Sequence, residues 1–299
     1  MATEAELKLR LAPGDERAIR RSAALAAAPP RRRRLSAIYF DTPAGELAAR
    51  GMVLRLRRDG RRWMQCLKAS NVASGGLHVR DEWEFARDDP VLDLARFAGT
   101  PLAGIEDAGT LHRRLEVAFR VEVVRTRWIV APRRGTRLEV ALDRGEVRSG
   151  GRTEPVCELE IECLEGPPAA AFDLARRLLE DAALHPSTVT KAERGHRLWR
   201  GTQSEAVKAR PIALGRGLAP VEAARTVVAM ALAQLLANEE GVLRSDDPEF
   251  IHQARIALRR LRSVLRLFRD CIGRERSREW RQLLAGVARA LGTARDWDV

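Results

Sequence analysis

Glu4-Ala5-Glu6-Leu7-Lys8-Leu9-Arg10 and Glu158-Leu159-Glu160-Ile161-Glu162-Cys163 are the two stretches whose reading decides the architecture. Both alternate with period two, so in an extended chain the charged residues share one face and the apolar residues the other. Met52–Arg57, Trp63–Lys68, Arg80–Phe85, Phe119–Val123 and Arg137–Leu142 repeat the alternation. Turn signals such as Arg58-Asp59-Gly60 and Ser149-Gly150-Gly151 separate them. At least seven strands are therefore expected within residues 1–200, with helices over Gly14–Ala27, Val91–Ala98 and Ala169–Leu184. The quartet Arg31–Arg34 reads as a solvated loop.

The outer face of an ordinary antiparallel sheet carries Ser, Thr, Gln and mixed charge. Here Glu158, Glu160 and Glu162 line up on one strand, and Arg55 with Arg57 on another. Three carboxylates in a row repel one another unless cations sit between them, and the arginines have the mirror problem. Both are relieved if the charged faces turn inward around a metal–polyphosphate complex, glutamates holding divalent ions and Arg and Lys clamping phosphate oxygens. A closed barrel gives such strands a shared interior.

Composition agrees with a polyanionic ligand. The 299 residues carry 53 Lys and Arg against 41 Asp and Glu, net +12. Only four of the basic residues are lysines: Lys8, Lys68, Lys191 and Lys208. A sequence this rich in Arg keeps Lys where a compact point charge matters. Nucleic acid is not the expected partner, because interleaved aromatics and a base-reading motif are missing. Four cysteines without a CxxC pair give neither a zinc site nor a disulfide framework. A basic-then-apolar signal peptide is not seen, and the longest uncharged helical run, Thr226–Asn238, is shorter than a bilayer span and reads as a buried helix. A cytoplasmic protein, away from membranes, is expected.

With these residues in order, the chain resembles the CYTH superfamily, the triphosphate tunnel metalloenzymes. Glu4-Ala5-Glu6-Leu7-Lys8 matches its N-terminal ExExK signature. Tyr39-Phe40-Asp41-Thr42, Leu54–Arg57, Trp63–Lys68, Arg80–Glu84, Phe119-Arg120, Arg125, Trp128 and Glu139–Gly145 follow, and Glu158–Glu162 and Thr190–Gly195 close the pattern. The resemblance implies an α+β fold, an eight-stranded antiparallel tunnel with flanking helices. It also implies hydrolysis of tripolyphosphate or a related triphosphate with Mg²⁺ or Mn²⁺, as two ions. Carried over by position, Glu4, Glu6, Glu158 and Glu160 would ligate metal, with Asp143 and Glu162 as further acids. Lys8, Arg55, Arg57, Lys68, Arg80, Arg120, Arg125 and Lys191 would bind substrate, and Glu4, Glu6, Lys8 and Glu160 would carry catalysis. Val121 stands where relatives often have Thr. An adenylate cyclase, a thiamine triphosphatase and a non-catalytic polyphosphate binder are the competing readings.

A polar linker is expected over 201–214, and from Gly215 the pattern turns helical, over Val221–Glu239, Pro248–Asp270 and Arg276–Leu291. Ile251, Ala254, Leu258, Leu261, Leu265 and Phe268 form a core stripe. His252, Arg255, Arg259, Arg262, Arg266 and Arg269 form a basic stripe beside it. Ile251–Arg255, Arg259–Arg262 and Leu291–Val299 resemble the CHAD domain, a helical module that often follows CYTH and binds inorganic polyphosphate. That resemblance implies polyphosphate contacts by His252, Arg255, Arg259, Arg262 and Arg266, and association with polyphosphate granules. Residues 215–299 match about a third of the module, a partial all-α bundle expected to expose apolar stripes that either further chain of a longer protein or a partner, such as a second copy, would cover.

Overall fold

A computed structural model describes residues 2–12 and 14–295. It divides into two compact units, Met1–Thr202 and Gln203–Val299. In the first, eight long strands appear: β1 (Ala2–Leu11), β2 (Arg31–Asp41), β3 (Val53–Asp59), β4 (Arg62–Ser74), β5 (Leu77–Arg87), β6 (Glu116–Arg133), β7 (Thr136–Ser149) and β8 (Arg152–Glu165). Their order is β5-β4-β3-β2-β6-β7-β8-β1, and β1 pairs back onto β5, so the sheet closes into an antiparallel barrel. A three-residue strand, β9 (Leu184–Pro186), joins β1. The alternation is used as anticipated. Leu7, Leu9, Val140, Leu159 and Ile161 face outward into a core with Ile19 of α1 (Glu16–Arg21).

Short α2 (Glu46–Ala49) and α3 (Ala108–Arg114) follow β2 and precede β6. α4 (Ala169–Leu178) adds Ala171, Leu174 and Leu178 to the first outer core. Leu54, Leu56 and Leu67 make a second outer core with Phe97, Leu102 and Leu111. The long helix expected over Gly14–Ala27 shrinks to one and a half turns, because Ser22 ends it and turns follow. Only Leu94–Phe97 of the Val91–Ala98 helix forms, as 3₁₀. The quartet Arg31–Arg34 is no loop. It begins β2, the strand the alternation missed.

α5 (Lys191–Arg200) brings its first turn to the barrel interior. Thr190 caps it and Glu193 completes the capping box. Gly195 is required by close packing, since a Cβ there would stand 2.1 Å from the Phe119 ring. Phe119 in turn stacks on Tyr39 at 4.4 Å and packs with Ala37, Val121, Val123 and Ala192, filling the end of the barrel nearest α5.

The second unit contains α6 (Pro220–Arg244), α7 (Pro248–Leu267), the short α8 (Arg269–Ile272) and α9 (Arg274–Arg295). Ala254, Leu258, Leu261 and Leu265 of α7 are buried as the core stripe anticipates, Ile251 and Phe268 are half-buried, and Phe250 and Ala257 are buried beside them. Asn238, fully buried, bonds both the N–H and the carbonyl of Val207, fastening the segment before α6 to the helix pair. Trp280, Leu283 and Val287 of α9 are exposed. The Thr226–Asn238 run, expected to be a buried helix, lies inside the 25-residue α6, whose apolar window is only 22% buried. By length and composition alone α6 could cross a membrane. Its apolar residues are spread around the helix rather than gathered on one face, and its buried positions include the polar Gln234 and Asn238.

Gly195→Ala drives a methyl into the Phe119 ring. Overpacking costs about 1–3 kcal/mol and the alanine's helix propensity returns ~1 kcal/mol. A lower melting temperature in calorimetry is expected; an unchanged or higher one would show that α5 adjusts freely.

Candidate active site

The charged faces of the eight strands meet around one cavity of about 300 Å³. Ten basic and eight acidic side chains line it. β1 supplies Glu4, Glu6 and Lys8; β3 supplies Arg55 and Arg57; β4 supplies Lys68. Arg80 comes from β5, Arg125 from β6, Glu160 and Glu162 from β8, and Lys191 from the first turn of α5. Strand parity and register therefore assemble eleven of the residues picked out by sequence.

At the inner end the geometry is dense. Lys191 Nζ donates to Asp143 Oδ2 at 2.8 Å and Glu160 Oε1 at 2.9 Å, and also to Glu158. Arg125 donates from Nε and Nη2 to both Asp143 oxygens at 2.7 Å, and from Nη2 to Glu160 at 2.5 Å. Lys8 bridges Glu160, at 2.5 Å, and Glu6. Asp143 and Glu158 are buried behind Lys191 and do not line the cavity. Farther round, Lys68 pairs with Glu4 and, at 3.2 Å, with Glu82, while Arg57 donates to Glu84 at 3.0 Å. The Nε atoms of Arg55 and Arg57 are buried without a hydrogen-bond partner.

The electrostatics sort the carboxylates into two groups. Burial works against ionising Glu160, yet Lys191, Lys8 and Arg125 outweigh it and hold the group well below the usual carboxylate range. Asp143 is lowered against the same penalty by Lys191 and Arg125. Burial works against charging Lys8 and Lys191, yet both are raised, Lys8 by Glu160 and Glu6 and Lys191 by Asp143, Glu158 and Glu160. Glu6 goes the other way: burial, then the charge of Glu160, pushes it up to about 8. Glu162 rises to about 7 through burial and the neighbouring Glu4 and Glu139.

Register also sets carboxylates side by side. Glu6 stands directly opposite Glu162, and Glu162 opposite Glu139, on adjacent strands. Like charges so placed are destabilising without a cation between them. Glu4, Glu6, Glu160 and Glu162 all line the cavity, and their hard carboxylate oxygens are of the donor type that suits Mg²⁺ or Mn²⁺. Oxygens of Asp143, Glu158 and Glu160 also gather within 4.8 Å of one another, but there the Lys191 ammonium already supplies the positive charge.

Arg120 is a correction. It is exposed, five residues from Arg125 and so on the opposite face of β6, turned away from the cavity. Seven further charged residues line the cavity that the sequence reading does not assign to the site: Arg31, Arg33, Asp59, Glu82, Glu84, Arg127 and Glu139. Parity could have found most of them, since Glu82 and Glu84 share a face with Arg80, and Glu139 with Asp143. Tyr39-Phe40-Asp41-Thr42 divides its work. Tyr39 lines the cavity, while the Asp41 carboxylate accepts from the N–H groups of Thr42, Leu47 and Ala48 and anchors α2. In the second unit His252, Arg259, Arg262 and Arg266 lie exposed along α7, with Arg255 half-buried. Residues 296–299 of the Leu291–Val299 motif lie outside the described residues.

The CYTH domain model matches residues 2–196. The chain belongs to the CYTH family. The CHAD domain model matches residues 226–299. The inorganic triphosphatase of Haemophilus influenzae is 29% identical over 161 residues, 54% of this chain and 44% of that protein. The match thus spans less than half the length of that curated relative. A solved structure from Hippeastrum, described as a candidate adenylyl cyclase with a dominant triphosphatase activity, superposes with a TM-score of 0.50 at 21% identity. It covers 67% of this chain and 97% of its own, and supports the CYTH tunnel fold.

Saturating Mg²⁺ or Mn²⁺ should raise the melting temperature of the CYTH unit. At a hundred times Kd the gain is about 2.7 kcal/mol, or roughly 5–10 °C at this size. Glu6→Gln combined with Glu162→Gln should abolish the shift in a thermal melt. A shift of equal size in that double variant would remove these carboxylates from the metal site.

Proposed function

We propose that the chain is a metal-dependent phosphohydrolase that cleaves a phosphoanhydride bond of a triphosphate, with tripolyphosphate the preferred small substrate. The observation that carries the reading is one cavity in which ten basic side chains face eight acidic ones, with Glu6 and Glu162 directly opposite each other on adjacent strands. A binder of phosphate alone needs the cations and has no use for the carboxylates. The similarity to the Haemophilus influenzae inorganic triphosphatase supports the same chemistry.

In this reading Lys8, Arg55, Arg57, Lys68, Arg80, Arg125 and Lys191 hold the phosphate oxygens, the guanidinium groups by paired hydrogen bonds and the ammonium groups as point charges. Asp143 and Glu158 position Lys191 and Arg125 rather than touch substrate. Glu4, Glu6, Glu160 and Glu162 would hold Mg²⁺ or Mn²⁺, which would supply positive charge against the phosphates and a water of lowered pKa. A loose, in-line transition state leaves little covalent work for the protein, so catalysis rests on holding and orienting the chain.

A protein nucleophile is not required. Burial pushes the Cys66 thiol up to about 12, and it donates to Glu82, so little thiolate is available. Burial also lowers His78 to about 4, and its Nε2 faces the Ser187 carbonyl. The nucleotide readings find less support, since Tyr39 is the single aromatic among the lining residues and is already stacked on Phe119. For the tail we propose polyphosphate contact along the exposed α7 stripe. Like charges at i,i+4, such as Arg262 and Arg266, cost only about 0.2–0.5 kcal/mol per pair in water. A polyanion would reverse that sign.

Phosphate release from tripolyphosphate, ATP, thiamine triphosphate and long-chain polyphosphate tests the proposal, with Mg²⁺, Mn²⁺ or EDTA. Release from tripolyphosphate should be fastest, stop in EDTA, and fall at least about a hundredfold in Glu160→Ala. Intact substrates in every metal, with polyphosphate still bound, would reduce the protein to a polyphosphate receptor.

A further inference from the structure

Parity splits the quartet that opens β2. Arg31 and Arg33 share a face with Leu35 and Tyr39 and line the cavity, whereas Arg32 and Arg34 do not. Register then sets Arg31 opposite Arg127 and Arg33 opposite Arg125, which puts four guanidinium groups on two adjacent strands. Like charges directly opposite are destabilising unless something compensates them.

Three of the four are compensated within the protein. Arg125 is held by Asp143 and Glu160, Arg127 Nε lies 2.7 Å from Glu139, and Arg33 donates to Asp59 at 2.7 Å. Arg31 makes no ion pair among the described residues. Along β6 the side chains open to solvent from Arg125, 21% exposed, to Arg127, 44% exposed, and across from Arg125 the Arg33 side chain is 59% exposed. Two residues advance a strand by about 7 Å. Arg31 and Arg127 therefore stand one step beyond the Arg125 layer, on the side away from Phe119 and α5.

The geometry points to an outer anion subsite, formed by Arg31, Arg33 and Arg127, that takes the further phosphates of a linear phosphoanhydride chain longer than three. The inference rests on the triphosphate reading of the inner site. Planar guanidinium forks suit successive phosphate oxygens. A nucleoside in the same place would want an aromatic face, and the one lining aromatic, Tyr39, lies eight residues along β2 from Arg31, toward the closed end. The subsite thus selects linear polyphosphate over nucleoside triphosphates.

The test compares kcat/KM for tripolyphosphate and for a linear polyphosphate of twice that length, by phosphate release at fixed ionic strength. Arg31→Glu with Arg33→Glu should lower the ratio of long to short substrate at least about tenfold, or about 1.4 kcal/mol. Arg32→Glu with Arg34→Glu, equal in charge but on the opposite face, should leave the ratio unchanged. Arg31→Ala alone, which breaks no ion pair, should move the ratio the same way by a smaller factor, so a folding defect in the double variant does not decide the matter. An equal fall in both double variants, or an unchanged ratio in Arg31→Ala, would overturn the subsite and leave the inner site standing. Failure of the wild type to hydrolyse either substrate would overturn both.

Discussion

A single ammonium group, Lys191 Nζ, is shared by Asp143, Glu158 and Glu160, and the interior of the tunnel depends on it. It fastens the first turn of α5 to β7 and β8 and neutralises carboxylates that would otherwise repel at close range. Such an arrangement is poor for stability in itself. Taking ions out of water costs several kcal/mol each, and apolar side chains of equal volume would often serve as well. The outer cores of Leu, Ile, Val and Phe around the barrel carry the folding energy. The charged interior is then best understood as a site whose local cost the rest of the fold offsets.

That division explains how the interior can be polarised in two directions at once. Where cations outnumber near neighbours, as around Glu160 and Asp143, carboxylates are held ionised. Where carboxylates crowd, burial raises Glu6 and Glu162, helped by the charge of Glu160 on the first and of Glu4 and Glu139 on the second. The proposed metal and phosphate positions follow from this sorting, the ion going to the crowded carboxylates and the phosphates to the lysines and arginines.

Much of this was legible in the sequence because a strand's period is two. Fixing Glu4 and Glu160 inward fixes Lys8, Glu6 and Glu162, and one closed sheet makes their faces common. Arg120 failed for the same reason, since an odd step from Arg125 puts it outside. β2 escaped because four consecutive arginines show no alternation, and only its pairing with β3 and β6 reveals which two face in. Asp143 and Glu158 had the right parity, but their burial behind Lys191 is a tertiary fact. In the helical unit the α7 core stripe was plain from its spacing. The half-exposed α6 was not, because a helix whose apolar residues are spread around it looks the same in sequence whether one neighbour covers it or several.

The most direct test is anomalous diffraction from crystals soaked with Mn²⁺ and tripolyphosphate, collected at the manganese edge. The proposed site predicts manganese peaks inside the tunnel, bounded by Glu4, Glu6, Glu160 and Glu162, with phosphate density reaching Lys8, Arg125 and Lys191. Manganese confined to the outer surface, or phosphate bound in the tunnel with no manganese beside those carboxylates, would contradict it.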